Sequence, residues 1–422
     1  MDKANALSLF PTLPEQTHFT PEFRLLTACS WIAPAGQATA QSEKIARLCS
    51  DGIDWGAFIA LVDRHRVPAI AYAALRQYAG ELFPDTAREP LKERSARARR
   101  EALRHAAELV RLAKKCCERG IDVLTLKGAL LSDELYADLG MRQSRDIDLL
   151  VRPGNLDQAD QFFKAEGYRR TFPAFELTAR QKIFLLDTYH HYEYDNPERE
   201  TQLELHWRLD LWEPEQVAEL WNNCRPRSIS GASINYLDDP TLLLCLCDHG
   251  AQHAWFRLKW LGDIAVLLTQ KPATAWDHLP GLAVRLDLRR PLAQALLLAH
   301  WLYDIPLAGP LRLIVAEEKA AVSLAAAALK AMLKTECARA TFEKRLPGVM
   351  SLRYRVHLRT RLPFRAYLKI LAIQPCDFDL LPLPDRLFGL YSLLRPLLWL
   401  WRQIIAATAH TPNNPIRQKN RI

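Results

Sequence analysis

The spacing of apolar positions changes along this chain, and the changes divide it. Across residues 21–78, Leu25-Leu26, Ile45 and Leu48, then Trp55, Phe58, Ile59 and Val62 recur at three- and four-residue intervals, which predicts helices with one buried face. Asp54 stands where the last of these helices needs an N-cap. Arg64-His65-Arg66 closes it, as a solvated cluster complementing the helix dipole or as part of a site. Residues 87–119 read as one long helix with a buried stripe of Leu91, Leu103, Ala106-Ala107, Leu109-Val110 and Leu112-Ala113. Pro90 falls in its first turn, where a missing N–H is harmless, and Gly120 ends it. Residues 1–20, rich in Pro and Thr, form a loose lead-in.

From residue 120 short runs of strand character alternate with helical ones. Strands are predicted at 121–126, 145–151, 168–172, 189–195 and 201–209, and helices at 129–138, 155–166 and 176–186, with Asn196-Pro197 turning a hairpin. This is an α+β pattern: a small mixed β-sheet domain over 120–212, flanked by helical segments. The helical segments cover 1–119 and 213–350, and a Pro-punctuated stretch with an apolar, basic helix covers 351–422. No internal repeat is visible.

Composition adds little to the fold and something to the partners. The 422 residues, 49% hydrophobic and 25% charged, are ordinary globular usage and suggest two or three domains. A formal charge of +8 suits polyanions: nucleotides, nucleic acid or an acidic membrane surface. The basic face from Arg94 to Arg104 is either solvated or a nucleic-acid surface, but no aromatic-plus-glycine signature supports nucleic acid, so a nucleoside triphosphate is the expected polyanion. Nine scattered cysteines, with Cys116 and Cys117 adjacent, are read as free thiols. Met1-Asp2-Lys3 lacks a following apolar run, so the protein is expected to stay in the cytoplasm. The apolar stretch 387–405 approaches spanning length, but Arg395 near its middle costs about 2.5–3.5 kcal/mol in a bilayer, and Pro396 interrupts the helix. It is expected to pack on the protein, or to lie on a partner or peripherally on the inner membrane with the basic tail Arg417-Gln-Lys-Asn-Arg421.

The chemistry concentrates between Leu124 and Trp207. Asp146 and Asp148, two residues apart on a strand, project to one face, with Ile147 and Leu149 on the other. Carboxylates about 5 Å apart repel by roughly 3 kcal/mol at an effective dielectric near 20, so the pair calls for a cation, a shared proton or an arginine. Lys127-Gly128 sits where strand gives way to helix, so free N–H groups, a bare backbone and an ammonium can converge on phosphate. Arg142 and Arg145, just before the aspartate strand, can join them. In 201–209, Leu203, Leu205 and Trp207 face the core while Gln202, Glu204, His206 and Arg208 face outward together. An acid on a solvated strand face, as Glu204 is here, is commonplace; His206 on the same face is a hydrogen-bonding partner of a site, a proton carrier or a packed histidine. His190 and His191 are adjacent, so one of them must face the core. Cys245-x-Cys247-x-His249 is not read as a metal site, because helical positions two apart diverge. His249-x-x-x-His253 has Gly250 where the zinc-protease helix needs Glu. On a continuous helix His249, His253, Arg257 and Trp260 would share one stripe, either closing a nucleotide pocket with Arg257 on phosphate or forming a domain interface.

These residues resemble the nucleotidyltransferase superfamily, whose pattern is a Gly-rich turn opening a helix, an Asp-x-Asp/Glu on the next strand and a third carboxylate on a later strand. They are more closely similar to the uncharacterised bacterial nucleotidyltransferase family with Leu-Lys-Gly and Asp-Ile-Asp-Leu-Leu-Val signatures. The likeness runs from Asp54-Trp55 and Arg64-His65-Arg66-Val67 to Arg395-Pro396, with its specific motifs between Lys127 and Trp207. Lys127-Gly128 replaces the usual Gly-Ser, so Lys127, helped by Ser132, would take the missing serine's part. The resemblance implies that Asp146, Asp148 and Glu204 bind Mg²⁺, with Glu204 sharing a second ion or accepting a proton. It also implies transfer of a nucleoside monophosphate from a triphosphate to a small-molecule or protein acceptor. A catalytically silent nucleotide- or partner-binding module is the alternative, and keeping all three acids argues against it.

Overall fold

A computed structural model describes residues 10–15, 17–209, 212–333, 354, 356–360 and 373–408. The start of the lead-in, the end of the Ala- and Leu-rich helical run and the basic tail lie outside them.

The chain forms an α+β fold on one mixed sheet of seven strands: β1 Leu124–Thr125, β2 Ile147–Leu150, β3 Arg169–Phe172, β4 His191–Asn196, β5 Thr201–His206, β6 Cys224–Ile229 and β7 Ala232–Leu237. Their order is β3-β4-β5-β2-β1-β7-β6, with β2 parallel to β5, β1 parallel to β7, and the other pairs antiparallel. Alternation works as the sequence requires. Ile147, Leu149, Leu203, Leu205, Tyr192 and Tyr194 are buried on one face, which leaves the acidic and histidine positions on the other.

The sheet does not stop at residue 212. The β6–β7 hairpin closes through Ser230 and Gly231, both at positive φ (47° and 76°), the turn geometry that matches strand twist. β7 buries Ala232, Ile234 and Tyr236 in clean alternation, whereas β6 is an edge strand carrying Pro226 and exposed polar residues, so half of the hairpin has no apolar period.

The amino-terminal helices are α1 Pro21–Cys29, α2 Ala38–Ser50, α3 Trp55–His65 and α4 Pro68–Tyr78, with α5 Asp85–Glu118 the long one. Asp54 caps α3 through the Ala57 N–H at 3.0 Å. On α5, Leu91, Ala106, Leu109 and Leu112 are buried as expected, but Leu103 is 45% exposed and Ala107 is exposed too. The basic face of α5 is engaged by the protein itself: Arg94 pairs with Asp63 at 2.9 Å, Arg99 with Asp138 at 2.8 Å, and Arg104 with Glu200.

Within and after the sheet come α6 Ala129–Tyr136, α7 Leu156–Ala165, α8 Ala179–Thr188 and α9 Pro214–Asn222, then α10 Asp239–Gln252, α11 Leu258–Gln270, α12 Leu279–Arg285, α13 Arg289–Tyr303, α14 Gly309–Glu317 and α15 Ala321–Leu333. α10 and α11 are not one helix. Ala254 and Trp255 take left-handed φ (48° and 52°), and the Trp255 ring folds back over Gly250, where a Cβ would lie 2.4 Å from it. The Trp255 indole N–H then donates to Gln294 at 3.1 Å, tying the turn to α13.

Near the end, α16 Pro375–Leu380 and α17 Leu390–Thr408 pack Phe378, Tyr391 and Leu398 against Phe184 and Phe388. Arg395 and Arg402 turn inward to Asp377 at 3.2 and 3.3 Å. The opposite face of α17 exposes Leu393, Leu397, Leu400 and Trp401, so only half of this amphipathic helix is packed on the protein. No helix among the described residues is long and apolar enough to cross a membrane.

Candidate active site

Strand register builds the site. Parallel pairing sets Asp148 beside Glu204, and antiparallel pairing sets Glu193 opposite Glu204 and His191 opposite His206. Paired residues share a face, so these acids and histidines look into one cavity of 580 Å³. Its far wall is the α10–α11 turn, with His249, His253, Phe256, Arg257, Lys259 and Trp260. The stripe expected on a continuous helix is thus assembled by a turn: His253 stacks on Trp260 at 5.2 Å, and the Arg257 guanidinium lies over Phe256 and Trp260 at 4.7 and 5.5 Å.

Asp148 is the most enclosed group. Its side chain is 0% exposed, with Oδ1 3.2 Å from the Lys127 ammonium and 3.4 Å from His206 Nε2, yet neither oxygen has a hydrogen bond. His206 Nε2 also lies 3.2 Å from Glu204. Asp148, Glu204 and His206 each offer a donor atom within 4.8 Å of the others, the spacing of a metal site. Asp146, just before β2, lines the cavity wall beside them, as do Arg145 and Arg257. His206 therefore touches both acids directly.

Lys127 and Gly128 are where the sequence puts them, between β1 and α6, but the ammonium points to Asp148. Gly128 has φ 78° and ψ −131°, a conformation for glycine; an added Cβ would meet nothing nearer than Ser144 Oγ at 4.0 Å, so backbone geometry and not crowding demands it. Ser132 does not stand in for a phosphate-binding serine. It is buried, donates to the Asp138 carbonyl at 2.6 Å and accepts the Arg142 N–H at 3.1 Å. Arg142 borders the cavity, but its guanidinium is committed to Asp263 at 2.8 Å, and Tyr136 donates to the same carboxylate at 3.2 Å.

The charges respond to this setting. Burial would lower Lys127, but Asp148, Asp146 and Glu204 outweigh it and hold the ammonium above its ordinary pKa. Burial opposes ionisation of Glu204, yet the His206 contact pulls it down to about 2. Burial likewise works against the imidazolium, but Asp148 and Glu204 lift His206 to about 9. On the far wall the order reverses. Burial first, then neighbouring cations, push His249 (Lys127 foremost) and Lys259 (Arg142 foremost) well below their usual values. An anion in the cavity would relieve that stress.

Two contacts were not visible in the sequence. His65 is fully buried and its Nδ1 accepts the Leu258 N–H at 3.0 Å, fixing the start of α11; burial, then Arg64 and Arg257, push it down to about 3. Arg64 donates to the Ala331 carbonyl at 2.7 Å, and Arg66, in a left-handed conformation, lines the cavity, so this cluster is not a solvated cap. His190 and His191 both line the cavity, because His190 precedes β4 and escapes strand alternation.

A Lys-Gly turn opening a helix, an Asp strand and a parallel Glu strand define an α+β domain of the nucleotidyltransferase type. The chain matches the family described as uncharacterised nucleotidyltransferase over residues 51–304, and it belongs to that family. No curated protein and no solved structure matches it.

Proposed function

We propose that the protein binds a nucleoside triphosphate with a divalent cation in this cavity and transfers the nucleoside monophosphate to an acceptor, releasing pyrophosphate. The observation that carries the reading is Asp148: a fully buried carboxylate, beside Glu204 in register, with both oxygens lacking a hydrogen bond. A group so desolvated is expensive unless a ligand completes it. Oxygen donors from Asp148, Glu204 and Asp146 fit Mg²⁺, which prefers carboxylates and phosphate oxygens. When bound, Mg²⁺ would supply neutralisation of the charge that develops on the phosphates.

The chain's own residues do the rest. Lys127, kept charged by the acids, together with Arg145 and Arg257 on the cavity wall, would bind and orient the triphosphate. The Gly128 turn starts α6 directly after Lys127 and so fixes where that ammonium stands. Arg142 supports the wall through Asp263 instead of contacting substrate. With its pKa held at about 2, Glu204 stays ionised and is suited to holding a cation, not to taking the acceptor's proton. In the transfer an acceptor oxygen, from a small molecule or a protein, bonds to the α-phosphorus as the bond to the β-phosphate bridging oxygen breaks. The acceptor loses its proton to water.

The test incubates purified protein with each α-labelled triphosphate, Mg²⁺ and cell extract, and follows labelled acceptor and pyrophosphate together. Both should appear with wild-type protein and neither with Asp148→Asn. Triphosphate binding without pyrophosphate release under every condition would instead identify a silent binding module.

A further inference from the structure

Beside the carboxylates stands a second constellation that the transfer reaction does not use. His190, His191 and His206 each place a ring nitrogen within 4.8 Å of the other two. Their rings are close: 4.4 Å between His190 and His191, 5.0 Å between His191 and His206, and 5.9 Å between His190 and His206. Like-charged imidazoliums would repel at such distances, and neutral ones present lone pairs to one another.

The carboxylates around the rings add a second, independent observation. β4 carries His191-Tyr192-Glu193 and β5 carries Glu204-Leu205-His206, and antiparallel register pairs histidine with histidine and glutamate with glutamate. His191 Nε2 lies 3.3 Å from Glu193, and His206 Nε2 lies 3.2 Å from Glu204. The second nitrogen of His191, Nδ1, is buried and lacks a hydrogen-bond partner, and neither ring nitrogen of His206 has one. A carboxylate beside one imidazole nitrogen, with the second nitrogen buried and unpartnered as in His191, is the arrangement that fixes tautomer and orientation in histidine ligands of metals.

We propose that His190, His191 and His206 form a transition-metal site that adjoins the carboxylate centre at His206, taking a borderline divalent ion such as Zn²⁺ or Co²⁺ through ring nitrogens. Imidazole selects such ions over Mg²⁺, which is left to the oxygen donors of Asp148 and Glu204. Glu193 and Glu204 act on this site as positioning residues, holding the rings by Nε2. The inference rests on the histidine geometry and does not require that the protein transfer nucleotides.

Metal-stripped full-length protein titrated with Co²⁺, with visible absorption read at each step, tests the proposal. Wild-type protein should develop ligand-field bands of nitrogen coordination, Zn²⁺ should displace them, and a large excess of Mg²⁺ should not. His190→Gln/His191→Gln should weaken Co²⁺ affinity by more than about 100-fold, since two ligands go at once, and Glu193→Gln by about 10-fold, in the range for a supporting carboxylate. Asp148→Asn should leave the bands in place. Circular dichroism checks the double variant; if it does not fold, His190→Gln alone replaces it and should weaken Co²⁺ by at least about tenfold. The proposal is overturned by any of three results: no bands in wild-type protein, equal Co²⁺ affinity in the histidine variants, or loss of the bands in Asp148→Asn, which would make the histidines part of one carboxylate centre. Mg²⁺-dependent triphosphate binding, measured on the same double variant, should persist, so failure here is distinct from failure of the transfer reading.

Discussion

Asp148 and Asp263 border the same region, both with side chains at most 1% exposed and both next to a cation, yet the fold treats them differently. Asp263 is complete: Arg142 donates to one oxygen at 2.8 Å and Tyr136 to the other at 3.2 Å. Asp148 has Lys127 and His206 at 3.2 and 3.4 Å but no hydrogen bond to either oxygen. Both carry the desolvation cost of a buried carboxylate; Asp263 offsets it with two aligned hydrogen bonds, Asp148 with ion-pair contacts to Lys127 and His206 alone. A buried charge closed by its own fold holds structure together, whereas one left open marks the place where a ligand finishes the job. On that distinction Arg142, despite its position in the cavity wall, is architecture, and Asp148 is the residue to which the proposed function gives the ligand.

The comparison can be broken first at Asp148. Asp148→Asn should lower nucleotidyl transfer by at least about 100-fold, because cation-borne stabilisation of several kcal/mol disappears at tenfold per 1.4 kcal/mol. Its urea midpoint should fall less than that of a variant stranding Asp263, because Glu204 and Asp146 still balance Lys127, and Glu204 still balances His206; an equal loss would place Asp148 with Asp263. Arg142→Met should cost about 3–5 kcal/mol in urea unfolding by stranding Asp263. Adding Asp263→Leu to Arg142→Met should recover much of that loss, and a double variant as unstable as the single one would contradict the ion-pair account.

A third buried group sharpens the contrast through pH. His65 accepts the Leu258 N–H at Nδ1 and must be neutral to do so, with its folded pKa depressed to about 3 from an unfolded value near 6.5. The unfolded chain binds the proton more readily, so this contribution is full above about pH 6.5 and is lost as pH falls toward 3. Between pH 7 and pH 5 it amounts to about 2 kcal/mol. His65→Gln should flatten that part of the stability profile, and an unchanged slope would mean that His65 is not held neutral. The smallest effect on binding belongs to Lys127→Met, which should raise the triphosphate Kd about tenfold, the weight of one charge-assisted hydrogen bond, with a loss of stability below that of Arg142→Met because His206 still faces Asp148. Unchanged affinity would assign the ammonium to Asp148 alone.

What the sequence showed of this depended on the range of the contacts. Asp148 and Glu204 were legible because strand alternation alone puts them on the polar face, and the Asp54 cap needs only its own helix. The purpose of Arg142 was not, because its partner lies 121 residues away, and His65 meets Leu258 across 193. The break between α10 and α11 follows from Trp255 packing on Gly250 and bonding to Gln294, which no local propensity encodes. The β6–β7 hairpin is missing from the sequence reading, which has 213–350 helical: β7 alternates, but its exposed edge partner β6 has no apolar face to announce the pair.

The account rests on Asp148 being an open ligand position, and calorimetric titration of triphosphate into wild-type protein and Asp148→Asn, each with Mg²⁺ and with EDTA, tests that most directly. Wild-type protein should bind tightly with Mg²⁺ and weakly in EDTA, while the variant, folded by circular dichroism, should bind weakly in both. Equal affinity in all four titrations would contradict the account.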